Sequence, residues 1–193
     1  ISMEFQKVEH IPDLVVVTFK AYFDDRGYFE ETYDEDKFRE AGLPTDWVKD
    51  NHSHSIEGVL RGMHWQIEPF AQDKFVRVIR GKAIDVAVDI RTDSPTYGQF
   101  HMVELTEDNH TGFFIPKGFA HGFLALTDNV EFEYKVSGKY DKASERSFRW
   151  DDPDVNIPWG TDTPILSDKD AKAPLLGELK EEDLFKLNSI KNE

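Results

Sequence analysis

The residues best equipped for chemistry fall in one stretch, Gly58-Val59-Leu60-Arg61-Gly62-Met63-His64-Trp65-Gln66. It is an apolar run of strand character into which an imidazole, a guanidinium and an extra glycine are set. A strand that only fills a core has no use for Arg61 and His64 together, and a strand arginine wants an anionic partner. In strict alternation the two face opposite sides, being three residues apart. Gly62 between them suggests a bulge or a close backbone approach, and a bulge turns both to one side. The chemistry this points to is proton transfer with His64 as base, its imidazole oriented by a carboxylate. Asp170, in Ser167-Asp168-Lys169-Asp170, is a candidate for that carboxylate. The plain alternative is a structural strand histidine.

Two further residues invite the same question. His121 follows a turn shaped by Pro116 and Gly118 and opens a strand; it reads either as a turn histidine bonded to backbone or as a ligand contact. Tyr134 shares a strand face with Phe132 and Val136, so its phenol points inward and needs a partner. It reads as a core tyrosine or as a general acid facing His64 across a cavity. His52, His54, His64 and His121 raise the question of a metal. His52 and His54 share a strand face, but Asn51-His52-Ser53-His54-Ser55 runs into a turn and no glutamate follows at a matching interval, so no metal is expected. There is no P-loop and no GxGxxG.

Composition bounds the rest. At 193 residues, 39% hydrophobic and 13% aromatic, the chain is long and apolar enough for one globular domain over 1–193. The leading Ile1-Ser2-Met3 reads as an expression remnant before a native Met3. No apolar run reaches membrane-spanning length. A net charge of −15 argues against a nucleic-acid partner, and an anionic ligand needs a local cluster of Arg, Lys and His within the acidic surface. Without cysteine there is neither disulfide nor thiolate chemistry, in keeping with the cytoplasm.

The elements that must position these residues are short strands. Strands are expected over 14–19, 29–33, 48–53, 59–66, 102–105, 112–115, 121–126 and 130–136, with a turn over 24–28. A helix over 35–41 has Asp34 to cap it and Gly42 to end it, with Pro44 beyond. The link at 55–58 is short enough for a hairpin. The clearest hairpin is 74–90, whose arms flank Gly81-Lys82. In its second arm Ile84, Val86, Val88 and Ile90 share one face, and Ala83, Asp85, Ala87 and Asp89 the other. From 178 onward an acidic helix is expected on the outside. Roughly ten short strands at close spacing favour an all-β sandwich or barrel over a parallel α/β sheet.

Seven ordered blocks carry a family likeness. They are Asp25-Arg26-Gly27-Tyr28-Phe29, Asp50-Asn51-His52-Ser53, the stretch from Gly58 to Gln66, Lys74-Phe75-Val76-Arg77-Val78-Ile79-Arg80-Gly81, Asp85-Val86-Ala87-Val88-Asp89-Ile90-Arg91, the run from Ile115 to Phe123, and Trp150-Asp151-Asp152-Pro153. The chain resembles the dTDP-4-dehydrorhamnose 3,5-epimerase family over about 5–174. The resemblance implies a cupin-type β jelly roll, a homodimer that works without metal or other cofactor, and a dTDP-4-keto-6-deoxyhexose substrate. It implies His64 as base, Asp170 as its orienting carboxylate and Tyr134 as acid on the opposite face. Lys74 steadies the enolate oxygen, and Arg61 and His121 either join it or bind the pyrophosphate. Arg26, Glu31, Asp50, Asn51, Glu145 and Lys169 match positions that line the nucleotide and sugar site. Lys49 stands where family members often carry Gln, which alters the charge at a nucleotide contact. Other readings in view are epimerisation at C3 or C5 alone, a 3,4-ketoisomerase, and a non-catalytic sugar-nucleotide-binding module on the same barrel.

Overall fold

The computed structural model describes residues 3–188 and Ile190. Its strands, in chain order, are β1 (Met3–Lys7), β2 (Val15–Phe19), β3 (Ala21–Asp24), β4 (Gly27–Glu30), β5 (Lys49–Ser55), β6 (Leu60–Gln66), β7 (Lys74–Arg80), β8 (Lys82–Asp89), β9 (Phe100–Thr106), β10 (Thr111–Ile115), β11 (Phe119–Ala125), β12 (Val130–Val136) and β13 (Glu145–Ser147). Two short helices, α1 (Glu35–Glu40) and α2 (Asp168–Ala171), complete the regular structure together with three 3₁₀ turns. The strands form a six-stranded sheet in the order β1-β2-β10-β7-β12-β5 and a five-stranded sheet in the order β13-β6-β11-β8-β9, while β3 and β4 make a separate ribbon. Every pairing between these strands is antiparallel. This is the all-β, cupin-type barrel expected.

Three apolar layers hold it together. Between the sheets lie Val76, Val78, Phe113, Ile115, Phe123 and Phe132 with the small Ala83 and Ala87. The outer face of the five-stranded sheet buries Val86, Val88 and Ile90 under Phe148, Ile157, Trp159, Leu176 and Phe185 from the C-terminal segment. The outer face of the six-stranded sheet packs Val17, Phe19, Phe75 and Phe114 against Phe38 of α1. The alternation along β8 is therefore as expected, but both faces are buried. Its bulky aliphatic face looks outward to a second core, and its narrow Ala-Asp face looks into the barrel. The helix α1 begins where expected: the Asp34 side chain accepts from Lys37 N at 2.9 Å, and Gly42 follows at φ 78°.

Several expected connections differ. The 74–90 segment is no hairpin: β7 pairs with β10 and β12, and β8 with β9 and β11, so Gly81 at φ 83° turns the chain from one sheet to the other. A Cβ at Gly81 would approach Thr127 Oγ1 to 2.7 Å, so the corner is too tight for a side chain. The 55–58 link also crosses between sheets, since β5 pairs with β12 and β6 with β11 and β13. Local sequence sees a turn between two strands in either case, and sheet switching is decided by which distant strand is available. The ribbon β3–β4 places its second strand at 27–30 rather than 29–33. No helix runs on from 178; its described part holds 3₁₀ turns at Leu176–Glu178 and Glu181–Asp183, after which Phe185 packs into the outer core. The remainder, at 189 and 191–193, lies outside the described residues. Met3 belongs to β1, buried opposite Phe19.

Candidate active site

The strand β6 carries a bulge where Gly62 suggested one. His64 stands opposite His121 and Arg61 opposite Phe123, so three steps along β6 match two along β11. The extra residue brings Arg61 and His64 onto the same cleft, which has a volume of about 510 Å³. Gly62 serves close approach as well: a Cβ there would lie 2.6 Å from Gly122 Cα, and its φ is 140°.

His64 Nε2 lies 2.5 Å from Asp170 Oδ1, and Gly62 N–H donates to Asp170 Oδ2 at 3.2 Å. Asp170 sits on α2, whose N-terminus Ser167 caps by accepting from Asp170 N. The imidazole is 43% exposed and the carboxylate side chain 5%. Burial alone would raise the Asp170 carboxyl, but the hydrogen bonds and charge of His64 and the Gly62 N–H hold it below the ordinary range. The bulged strand and the 167–171 turn, more than a hundred residues apart, thus assemble the imidazole–carboxylate pair that sequence could only name.

Lys74, at the start of β7, lines the same cleft. Burial pushes its ammonium down to about 8, against the nearby Asp85 carboxylate, which raises it. Arg61 also faces the cleft. Its guanidinium donates to Ser55 Oγ at 3.1 Å and His54 O at 3.2 Å, and among the described residues no carboxylate lies within ion-pair distance of it. Glu145 and Lys169 line the cleft as an ion pair of 2.9 Å. Arg61, Lys74, Arg146 and Lys169 against Glu145 and Asp170 make this a local cationic concavity in a chain of net charge −15. Such a cluster holds an anionic ligand against the repulsion of the whole.

Tyr134 stands on the facing sheet, packed against the interior layer. Burial pushes its phenol up, opposed by a hydrogen bond with Asn51 and the charge of Arg61. Asn51 is its register partner on β5. Lys49 Nζ lies 5.8 Å over the Tyr140 ring, which itself lines the cleft, whereas Asp50 is engaged by Lys135 Nζ at 2.9 Å. Tyr134, Asn51, Lys49 and Asp50 are not themselves among the residues that line the cleft. Arg26 is held by Asp24 at the exposed tip of the β3–β4 ribbon, and Glu31 binds Lys37 at 2.8 Å; neither lines the cleft. His121 is neither a turn histidine nor the first residue of its strand. It sits inside β11, with Nε2 2.7 Å from Asp85 Oδ2. His52 and His54 lean instead toward Glu131 and Asn129.

Sequence reading missed Asp85. It is fully buried in the barrel, and its Oδ1 has no hydrogen-bond partner among the described residues. The signal was present: a lone carboxylate between alanines on a strand face too narrow for bulk. Gln72, Tyr140 and Arg146, which line the cleft, were also not singled out, and nothing in their local sequence marks them.

Comparison with known proteins places this arrangement. The chain matches the family model of dTDP-4-dehydrorhamnose 3,5-epimerase over residues 8–178. It is 48% identical over 161 residues to a dTDP-4-dehydrorhamnose 3,5-epimerase of Shigella flexneri, covering 83% of this chain and 89% of the relative. Among solved structures it is similar to RmlC from Legionella pneumophila Philadelphia 1 in complex with dTDP-4-keto-L-rhamnose, at 41% identity and a TM-score of 0.91, covering 95% of this chain and 98% of that one. It is also similar to NovW, a 4-keto-6-deoxy sugar epimerase from the novobiocin biosynthetic gene cluster of Streptomyces spheroides, at 35% identity and a TM-score of 0.94, covering 99% and 96%. With its barrel, its bulged histidine strand and its cationic cleft, the chain belongs to the dTDP-4-dehydrorhamnose 3,5-epimerase family, a family of isomerases.

Proposed function

We propose that the cleft epimerises dTDP-4-keto-6-deoxy-D-glucose at C3 and C5, giving dTDP-4-keto-L-rhamnose for dTDP-L-rhamnose synthesis. The observation that carries this reading is the His64–Asp170 pair, half-open on a cleft that also holds Lys74. Protons beside the C4 ketone are acidic because the carbanion delocalises into an enolate. With its Nε2–H donating to Asp170, His64 keeps the Nδ1 lone pair to take such a proton. Lys74 faces the enolate oxygen with a positive charge. Tyr134, kept protonated by burial, returns a proton from the facing sheet to the opposite face of the sugar. Arg61, unpaired by any carboxylate among the described residues, binds the pyrophosphate, and Lys49 with Tyr140 and Lys169 with Glu145 frame the mouth of the cleft. His121 acts from beneath rather than by contact through the cleft mouth. The residues need no metal for these steps.

The chain works as a homodimer within one domain, in the cytoplasm. The β3–β4 ribbon supports the dimer: Tyr22, Phe23, Tyr28 and Phe29 are 53, 69, 54 and 68% exposed, as two cross-strand pairs on opposite faces of the ribbon that call for cover. The same ribbon holds Arg26 and leads to Glu31, which reach a sugar nucleotide only by crossing to the second copy's cleft.

Proton NMR of dTDP-4-keto-6-deoxyglucose in D2O with the protein tests the reaction. Deuterium at both C3 and C5 with an L-configured product is expected. Deuterium at one carbon makes this a single-site epimerase. No exchange in a folded, dTDP-binding sample returns the choice to a ketoisomerase or a binding module. A monomer in light scattering removes the dimer.

A further inference from the structure

Beneath the cleft, the barrel interior holds a carboxylate that the proton transfers do not use. Asp85 projects from β8 on the narrow face between Ala83 and Ala87, fully buried. Its Oδ2 lies 2.7 Å from His121 Nε2, and its Oδ1 is unpartnered among the described residues. His121 is in turn the register partner of His64 on β6 and Ala87 on β8, so the two histidines are cross-strand neighbours. The titratable groups that bear on this set come from four strands: Asp85 from β8, His121 from β11, His64 from β6 and Lys74 from β7. An unneutralised carboxylate in such a place is costly unless a cation answers it.

We propose that Asp85 is a positioning residue for the reaction: its buried carboxylate holds the His121 imidazole by Nε2 and keeps the Lys74 ammonium charged at the cleft, where the C4 oxygen becomes an enolate. This rests on the reading that the cleft performs enolate chemistry. The physical logic is a balance. Burial alone drives Lys74 toward the neutral amine, which cannot stabilise an oxyanion. The Asp85 charge opposes that, and with no carboxylate among the described residues within ion-pair distance of Lys74, the ammonium is left to face substrate. Burial also drives the Asp85 carboxyl up, while His121 and Lys74 pull it down, so the anion and the two nitrogen groups stand or fall together.

The test begins with wild-type exchange at C3 and C5 in D2O across pH; absence of exchange there sinks the enolate reading itself. In wild-type protein, kcat is expected to fall as pH rises through about 8, where Lys74 loses its proton. In Asp85→Asn, kcat should fall by about 10- to 100-fold, somewhat less than deletion of an oxyanion donor itself. KM should change little, and the alkaline limb should move to lower pH. In a Lys74→Arg background, whose guanidinium keeps its charge, Asp85→Asn should move no alkaline limb. A folded D85N with wild-type kcat and pH profile, or with a raised KM alone, overturns the proposal. Should D85N fail to fold, the imidazole ¹H–¹⁵N spectrum of wild-type protein decides independently. A proton on His121 Nε2 throughout neutral pH is expected. A bare Nε2, with Asp85 as the protonated donor, overturns it.

Discussion

Among the described residues are two histidine–aspartate pairs whose histidines stand in register on neighbouring strands, yet they differ in almost everything but composition. His64–Asp170 spans 2.5 Å between a bulged strand and a short helix, with the imidazole 43% exposed. His121–Asp85 spans 2.7 Å between two regular strands of one sheet, with side chains 9 and 0% exposed. The same two residue types are therefore given opposite charge balances. Hydrogen bonds to the carboxylate win at Asp170, which is held low, whereas burial wins at Asp85, which is pushed up. The difference teaches that a dyad can serve as a base only where its imidazole is open to a substrate. The enclosed copy is a fixed part of the wall.

The largest effect should come from the open pair. His64→Ala is expected to cut exchange at both carbons by about 10²–10⁴-fold, with dTDP binding kept; retained turnover removes His64 as base. The closed pair should fail differently. His121→Ala strands the Asp85 carboxylate in the barrel, and urea unfolding should show a loss of about 2–4 kcal/mol, between a lost buried hydrogen bond and a broken buried ion pair. Equal stability in that variant would mean that the interior pair carries no structural weight.

Tyr134→Phe asks whether the open pair works alone. Deuterium should still enter from the His64 side, while net inversion falls by about tenfold or more as the opposite-face proton donor is lost. Unchanged epimerisation assigns the acid elsewhere.

The smallest and sharpest test is stability against pH in acid. The Asp170 carboxyl is lowered in the folded state, so it adds stability above its ordinary value that is lost as pH falls through the lowered one. The Asp85 carboxyl is raised, so its charged form costs stability, and that cost is relieved as pH falls through the raised value. Asp170→Asn should therefore flatten the acid loss, and Asp85→Asn should steepen it. The same sign in both variants would erase the distinction between the pairs.

How far each pair was legible in the sequence follows from where its signal lies. Gly62 between Arg61 and His64 is a local signal, because only a bulge lets residues three apart share a face, and it marked the strand that lines the cleft. The alternation of β8 was equally plain, and so was the capped helix that Asp34 begins. Asp85 was visible as an oddity on that strand but acquired meaning only when the Ala face proved to be the barrel interior. A strand buried on both faces offers no sequence rule for which face is which.

By itself, then, the sequence determined an all-β chain of short strands, the bulged strand that carries Arg61 and His64 and, through ordered motifs, its family. Tertiary structure alone decided that Gly81 and the 55–58 link pass between sheets rather than close hairpins, because strand partners are chosen over long range by the burial that each pairing completes. It also decided that the C-terminal segment packs as a covering of apolar side chains instead of a helix, since the outer face of the five-stranded sheet needs those contacts more than the segment needs its own hydrogen bonds. And it placed Asp170 against His64 and Asp85 against His121, contacts between residues 106 and 36 positions apart. No local propensity encodes such a distance; only the folded sheets supply it.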